Sequence, residues 1–185
     1  MSHPRVLDRD QSVLLVIDVQ ESYRGITVEP ERMVRGVRRL VEAARIVGVP
    51  ILATEQYPKG LGHFMREIAE SFPEGIEIVE KRSLSCCGAP GFADRLAALA
   101  RCQVVVCGLE AHACVNQTTH DLLERGYQVH LPFDAISSRF ETDYRMGWDK
   151  MIGSGAVPSS VELICLEWVR TADAPEFKAI QKLVK

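Results

Sequence analysis

No stretch of this chain stays apolar for more than five residues, and Val13–Ile17 is a run of that length. A bilayer-crossing helix needs about 20 such residues, so the sequence predicts no membrane anchor. The first residues, Met1-Ser2-His3-Pro4-Arg5, carry no apolar export core, and the expectation is a cytoplasmic protein. A basic excess is also missing, since 22 Lys and Arg face 25 Asp and Glu. Nucleic acids and anionic membranes call for concentrated positive charge, so neither is an expected partner. The six cysteines, at 86, 87, 102, 107, 114 and 165, make no C-x-x-C pair, which speaks against a zinc ribbon. Without an export signal, a disulfide framework is not expected. Histidines 63, 112, 120 and 130 show neither H-x-H nor H-x-x-x-H spacing, so the sequence predicts no metal.

What is present is ordinary globular material, 46% hydrophobic and 25% charged over 185 residues. A chain of this size buries roughly 70% of its unfolded surface, enough for one domain spanning residues 1–185. Val13–Val19 is a β-branched-rich run, as expected of a strand covered on both faces. Similar runs are Val49–Thr54, Ile76–Glu80, Val104–Leu109, Tyr127–Pro132 and Ser160–Leu166. Between them, Pro30–Val47 carries Met33, Val34, Val37, Leu40, Val41 and Ala44 at helical spacing, stopped by Gly48 and Pro50. Phe92–Ala100, Ala113–Arg125 and Lys178–Val184 read as further helices. Ser138 with Glu141 fits a capping box opening a helix toward Ile152. Alternating strands and helices predict a three-layer, doubly wound α/β domain of Rossmann-like kind, its six-stranded and mainly parallel sheet covered on both faces.

Ligands of such sheets bind beyond the carboxyl ends of the strands. There the sequence places Asp18, then Glu55-Gln56-Tyr57, then Lys81, then Glu110-Ala111-His112-Ala113-Cys114. Cys114 begins a helix, where unpaired N–H groups and the helix dipole should stabilise a thiolate. Most free cysteines are simply small buried hydrophobes, and that alternative stands beside the nucleophile. Asp18 ends an apolar strand, where a carboxylate is costly unless paired or used. A lysine beside it would keep it ionised, and it could then take a thiol proton. His112 lies two residues from Cys114 and His120 six, so both face away from the thiol. A dinucleotide fingerprint, a P-loop and an aspartyl-phosphate pair are all absent: Asp18-Val19-Gln20-Glu21-Ser22-Tyr23 has no glycine, and Gln20 stands where a second carboxylate would be needed.

Val16-Ile17-Asp18-Val19-Gln20, Lys81 and Gly108–Val115 resemble the isochorismatase-like cysteine hydrolases. The likeness continues through Thr54–Gly62, Gln117-Thr118, Asp134–Arg139 and Phe177-Lys178, so it covers nearly the whole chain. It looks strongest toward the isochorismatase domain-containing branch. The resemblance implies a triad of Asp18, Lys81 and Cys114 and hydrolysis of a small amide, ureido or carbamoyl substrate. It also implies an oxyanion held by the backbone N–H groups of Glu110 and Cys114, aimed by a cis peptide bond before Glu110. A homo-oligomer without cofactor is a further implication. Gln20, Tyr23, Glu55, Gln56, Tyr57 and Leu84 are the substrate-pocket candidates. Metal-binding nicotinamidases carry an aspartate and a histidine where this chain has Glu55 and Gln56. Two other readings remain open: a non-catalytic binding protein on the same fold, and a metal-dependent nicotinamidase-like amidase.

Overall fold

The computed structural model describes His3 and residues 5–185; the export-signal expectation, which rests partly on residues 1, 2 and 4, lies outside the described residues. The strands are β1 (Ser12–Ile17), β2 (Ile51–Gln56), β3 (Ile78–Lys81), β4 (Gln103–Leu109), β5 (Gln128–Pro132), β6 (Ile136–Ser137) and β7 (Val157–Ser159). They form one parallel sheet in the order β3-β2-β1-β4-β5-β7, with the two-residue β6 pairing β4 beyond the end of β5. The order reverses between β1 and β4, which places the crevice of a doubly wound sheet at their carboxyl ends. Every residue of β1 and β4 is buried, as continuous apolar strands between two helical layers must be.

Side-chain alternation along β1 feeds two cores. Leu14 and Val16 face α1 (Pro30–Val47), α7 (Val161–Val169) and α8 (Phe177–Val184). Val13, Leu15 and Ile17 face α4 (Phe92–Ala98), α5 (Cys114–Glu124) and α6 (Glu141–Gly153). The helix predicted over Pro30–Val47 has those bounds. Pro30 opens it and Gly48, at φ 75°, closes it, a conformation glycine adopts without the Cβ penalty.

Two local expectations need correction. Ser160–Leu166 is helix α7, not a strand; the strand is the preceding β7. Ser160 caps the helix by accepting a bond from the Leu163 N–H at 3.3 Å, and Ile164, Cys165 and Trp168 are buried at helical spacing. A short apolar run satisfies either period, and here the cap decided. The capping box at Ser138 does not form: Phe140 is the N-cap of α6 and offers no side-chain bond. Ser138 Oγ lies 3.1 Å from His112 Nδ1 instead. The structure adds two one-turn helices, α2 (Pro58–Leu61) and α3 (Arg66–Ala69), too short to leave a periodic signal. Among the described residues, no helix is long and apolar enough to cross a membrane.

Candidate active site

Three strands end on a non-glycine residue in the left-handed region: Asp18 after β1 (φ 54°), Tyr57 after β2 (φ 38°) and Glu110 after β4 (φ 61°). Such conformations cost of order 1–3 kcal/mol each and persist only where the surroundings impose them. Part of that imposition is close strand contact. Gly108 pairs with Ile17, and a Cβ at Gly108 would run into the Ile17 carbonyl. The missing side chain brings β1 and β4 together just before they deliver Asp18 and Glu110.

Lys81, the last residue of β3, reaches across β2 to Asp18. Its Nζ lies 2.7 Å from Asp18 Oδ2, with both side chains out of solvent. The ammonium hydrogen-bonds to Gln56 Oε1 (2.7 Å), the Leu84 carbonyl (3.1 Å) and the Ser83 carbonyl (3.3 Å). Thr54 donates to the other carboxylate oxygen, Oδ1, at 2.8 Å. Asp18 Oδ2 therefore meets the lysine charge at contact distance in a charge-assisted hydrogen bond. It keeps lone-pair capacity for one more proton. Cys114, at the first turn of α5, turns its thiol toward both Asp18 and Lys81, and its Sγ lies 4.0 Å from Gln56 Oε1. The acid, the ammonium and the thiol come together from three separate strand ends.

Burial dominates the electrostatics. It raises Asp18 above the usual carboxylate range, although Lys81 and Thr54 pull the other way. Burial also pushes Lys81 down, but the Asp18 charge and the thiols beside it more than offset this, and the net shift is upward. The Cys114 thiol is pushed up to about 12, first by desolvation and then by the Asp18 charge, with Lys81 opposing. The sequence led to the opposite expectation, a thiolate held by the start of a helix. A helix terminus contributes at most about 2 kcal/mol, and burial beside an anion outweighs it here. Burial and the neighbouring acid both favour the protonated form of the thiol. The cis peptide bond expected before Glu110 is not present either: no cis bond occurs among the described residues, and the turn is made by the positive φ of Glu110.

The pocket candidates divide. Gln20 is fully buried and clamps the segment after β2: its amide donates to the carbonyls of Gln56 (3.0 Å) and Gly62 (2.5 Å) and its Oε1 accepts from the Gln56 N–H at 2.8 Å. Glu55 faces away from the thiol and accepts from the Phe64 N–H at 2.6 Å, with His63 at 3.0 Å. Neither is free to meet a substrate, so both are corrected from lining to scaffolding. Gln56 is at the centre, bridging Lys81 and the thiol. Tyr23 stands at the rim, its hydroxyl pushed up to about 12 by burial and by the charges of Glu110 and Cys114. Tyr57 walls a cavity of about 460 Å³ beside Lys81, with the Arg82 guanidinium 4.0 Å above its ring. Leu84 contributes its carbonyl, while the residue is 44% exposed.

Three neighbours were not foreseen as site residues. Thr54 orients Asp18, and its hydroxyl also contacts the fully buried Cys86 thiol at 3.6 Å. Arg139, just before α6, holds the Glu110 carboxylate through Nη2 at 3.2 Å and Nε at 3.3 Å. A polar residue buried inside an apolar strand was the available signal for Thr54. Arg139 had none, because its partner is 29 positions away. Among the described residues, no three His, Cys, Asp or Glu side chains cluster as a metal-ligand set.

The isochorismatase domain matches residues 12–162. Isochorismatase domain-containing protein 2 of Danio rerio is 39% identical over 173 residues, covering 94% of this chain and 86% of that protein. A solved structure described as the MAR1 ribonuclease of Caenorhabditis elegans superposes with a TM-score of 0.92 at 40% identity, covering 97% of this chain and 92% of that one. The Escherichia coli YcaC gene product, described as an octameric hydrolase of unknown specificity, has a TM-score of 0.89 at 20% identity, over 99% of this chain and 92% of that one. At that identity the likeness concerns the fold alone.

Proposed function

The chain belongs to the isochorismatase family, and from that premise we propose that it hydrolyses a small amide, ureido or carbamoyl compound through a thioester on Cys114, without metal or cofactor. One observation carries the reading: Asp18 Oδ2, out of solvent, sits 2.7 Å from the Lys81 ammonium and faces the Cys114 thiol. A carboxylate so placed has one task left open, to accept the thiol proton.

With the thiol pushed up to about 12, a standing thiolate is not the reactant. The proton passes from Sγ to Asp18 as the S–C bond to the substrate carbonyl forms. Burial, by raising the Asp18 pKa, makes it the stronger base for this step. Lys81 keeps the local charge balanced while the proton moves. The carbonyl oxygen, now anionic, is held by the N–H groups of Glu110 and Cys114. Asp18 then returns its proton to the departing amine. In the second half it takes a proton from water as the oxygen attacks the thioester; the C–S bond then breaks, the acid leaves, and Asp18 returns the proton to Sγ to restore the thiol.

The test is a panel of small amides, ureido and carbamoyl compounds read by ammonia and acid release, with Cys114→Ala as the blank. Turnover that survives in Cys114→Ala would overturn the covalent mechanism. The ribonuclease description of the C. elegans neighbour favours a second reading, cleavage of RNA with Asp18 as base and Lys81 steadying a pentavalent phosphorus. That chemistry needs no sulfur, so the same variant separates the two: it should abolish amide hydrolysis and spare RNA cleavage. Self-association belongs to the proposal as well, supported by Phe140 and Met146, 61% and 59% exposed on and beside α6. Sedimentation velocity decides that point.

A further inference from the structure

A larger cavity, about 700 Å³, lies apart from the thiol, between α1, α8 and the segment that follows β1. Its lining is at odds with a chain of net charge −3. Arg35 and Arg39 of α1 and Lys182 of α8 face it together with a single unpaired carboxylate, Glu31. Among the described residues, none of these four makes an ion pair. The remaining charges of the lining are held in ion pairs. Arg24 is held by Glu21 and by Glu67, both at 2.7 Å, and Arg38 by Glu42 at 3.0 Å.

We propose that this cavity is a binding site for a small phosphate-bearing molecule with an apolar or aromatic portion. Three cations without ion-pair partners, against one such carboxylate, leave the lining with an excess of positive charge even after the second carboxylate on Arg24 is counted, and a phosphate monoester, anionic near neutral pH, would neutralise it. The cations line the cavity from two helices. Arg35 and Arg39 are four residues apart on one face of α1, and Lys182 approaches from α8. Two guanidinium forks and an ammonium suit a tetrahedral oxyanion with several acceptor oxygens. Val34, Met65 and Leu183 supply an apolar wall, which a bare inorganic ion would leave unused.

The site is separate from the thiol but joined to it by a short stretch of chain. Tyr23 borders the thiol, and the next residue, Arg24, is a wall of the cavity. The proposal stands whether or not the thiol site turns over an amide, because its readout is binding.

The experiment is isothermal titration of the full-length protein with adenosine monophosphate, inorganic phosphate, adenosine and a single-stranded oligonucleotide lacking terminal phosphate, repeated on Arg35→Ala/Lys182→Ala. Both positions are solvent-facing, so the variant should fold, and its unfolding temperature checks that. The expected result is saturable monophosphate binding, weaker binding of phosphate or adenosine alone, and a dissociation constant at least about tenfold higher in the variant. Cys114→Ala should bind as wild type does, which separates this site from the reaction site. Failure of the monophosphate to bind, or equal affinity in the double variant, overturns the proposal. Stronger binding of the oligonucleotide with a steep salt dependence would assign the surface to a polynucleotide and overturn it too. A change of oligomeric state in the double variant would make this face a contact between copies, with the same consequence.

Discussion

The two halves of the sheet treat buried polar groups in opposite ways. In β3, β2, β1 and β4 the charged pair stands at the carboxyl edge, where Asp18 and Lys81 neutralise each other and Thr54 supplies a hydrogen bond, while Cys107, buried inside β4, is an uncharged thiol. In the β5–β7 half, His130 lies in the middle of β5, fully buried, and neither ring nitrogen has a partner. Desolvation alone pulls its pKa down to about 4. Mid-strand, the backbone is committed to its neighbours, and a side chain meets only the apolar helices packed above. At the edge, loops bring carbonyls, amides and opposite charges within reach. A polar group in a parallel sheet gains chemistry at the edge and only a penalty in the interior.

The largest expected effect falls on the edge. Cys114→Ala should abolish amide turnover while circular dichroism and unfolding temperature stay near wild type, since one small sulfur is lost from the start of a helix. A variant that unfolds would place Cys114 with His130, as a packing residue. Asp18→Asn comes next: losing the proton acceptor should lower kcat/KM on the order of a hundredfold or more. Alkylation of Cys114 by iodoacetamide should slow as well. Equal alkylation rates would make Asp18 a cap and erase the difference between the halves.

Thr54→Val should cost less, roughly tenfold in kcat/KM. It removes the bond that lowers the Asp18 pKa, so the acidic limb of the pH–rate profile should move to higher pH. A rate loss with an unmoved limb would show that Thr54 only packs.

His130 should yield the smallest measurable change, and in stability rather than rate. Its folded pKa, about 4, lies below the unfolded value near 6.5, so the unfolded chain binds the extra proton across that window. The stability present above pH 6.5 is therefore lost as the pH falls toward 4. Between pH 7 and 5.5 the loss should be about 1 kcal/mol by urea denaturation, and His130→Leu should remove that part of the slope. A slope unchanged in the variant would mean that His130 has a partner after all. Chelation should change nothing. Incubation with a strong chelator, followed by assay and metal analysis, checks this, and activity lost on removal of a stoichiometric metal and restored by its return would overturn it.

Several of these features were legible in the chain before folding. Strands β1, β4 and β5 announce themselves because burial on both faces demands unbroken apolar runs, and α1 because its apolar positions repeat with the helical period between Pro30 and Gly48. Asp18 and Cys114 stood out for the same local reason: a charge or a thiol at the end of such a run has no packing role that requires it. Their place with Lys81 on one edge of the sheet follows from the strand ends, their union as a triad is what the family likeness implies, and strand order, which reverses between β1 and β4, brings the strand ends together. Local signals failed where two periods fit equally, as at Ser160–Leu166. They also failed where the partner is remote, as for Arg139 with Glu110. The division between Gln56, which meets the triad, and its neighbour Glu55, which holds a loop, follows from which face of β2 each occupies. The protonation state of Cys114 was out of reach as well. A sequence shows the helix start that favours a thiolate, but the burial and the neighbouring carboxylate that oppose it exist only once distant segments have packed around the sulfur.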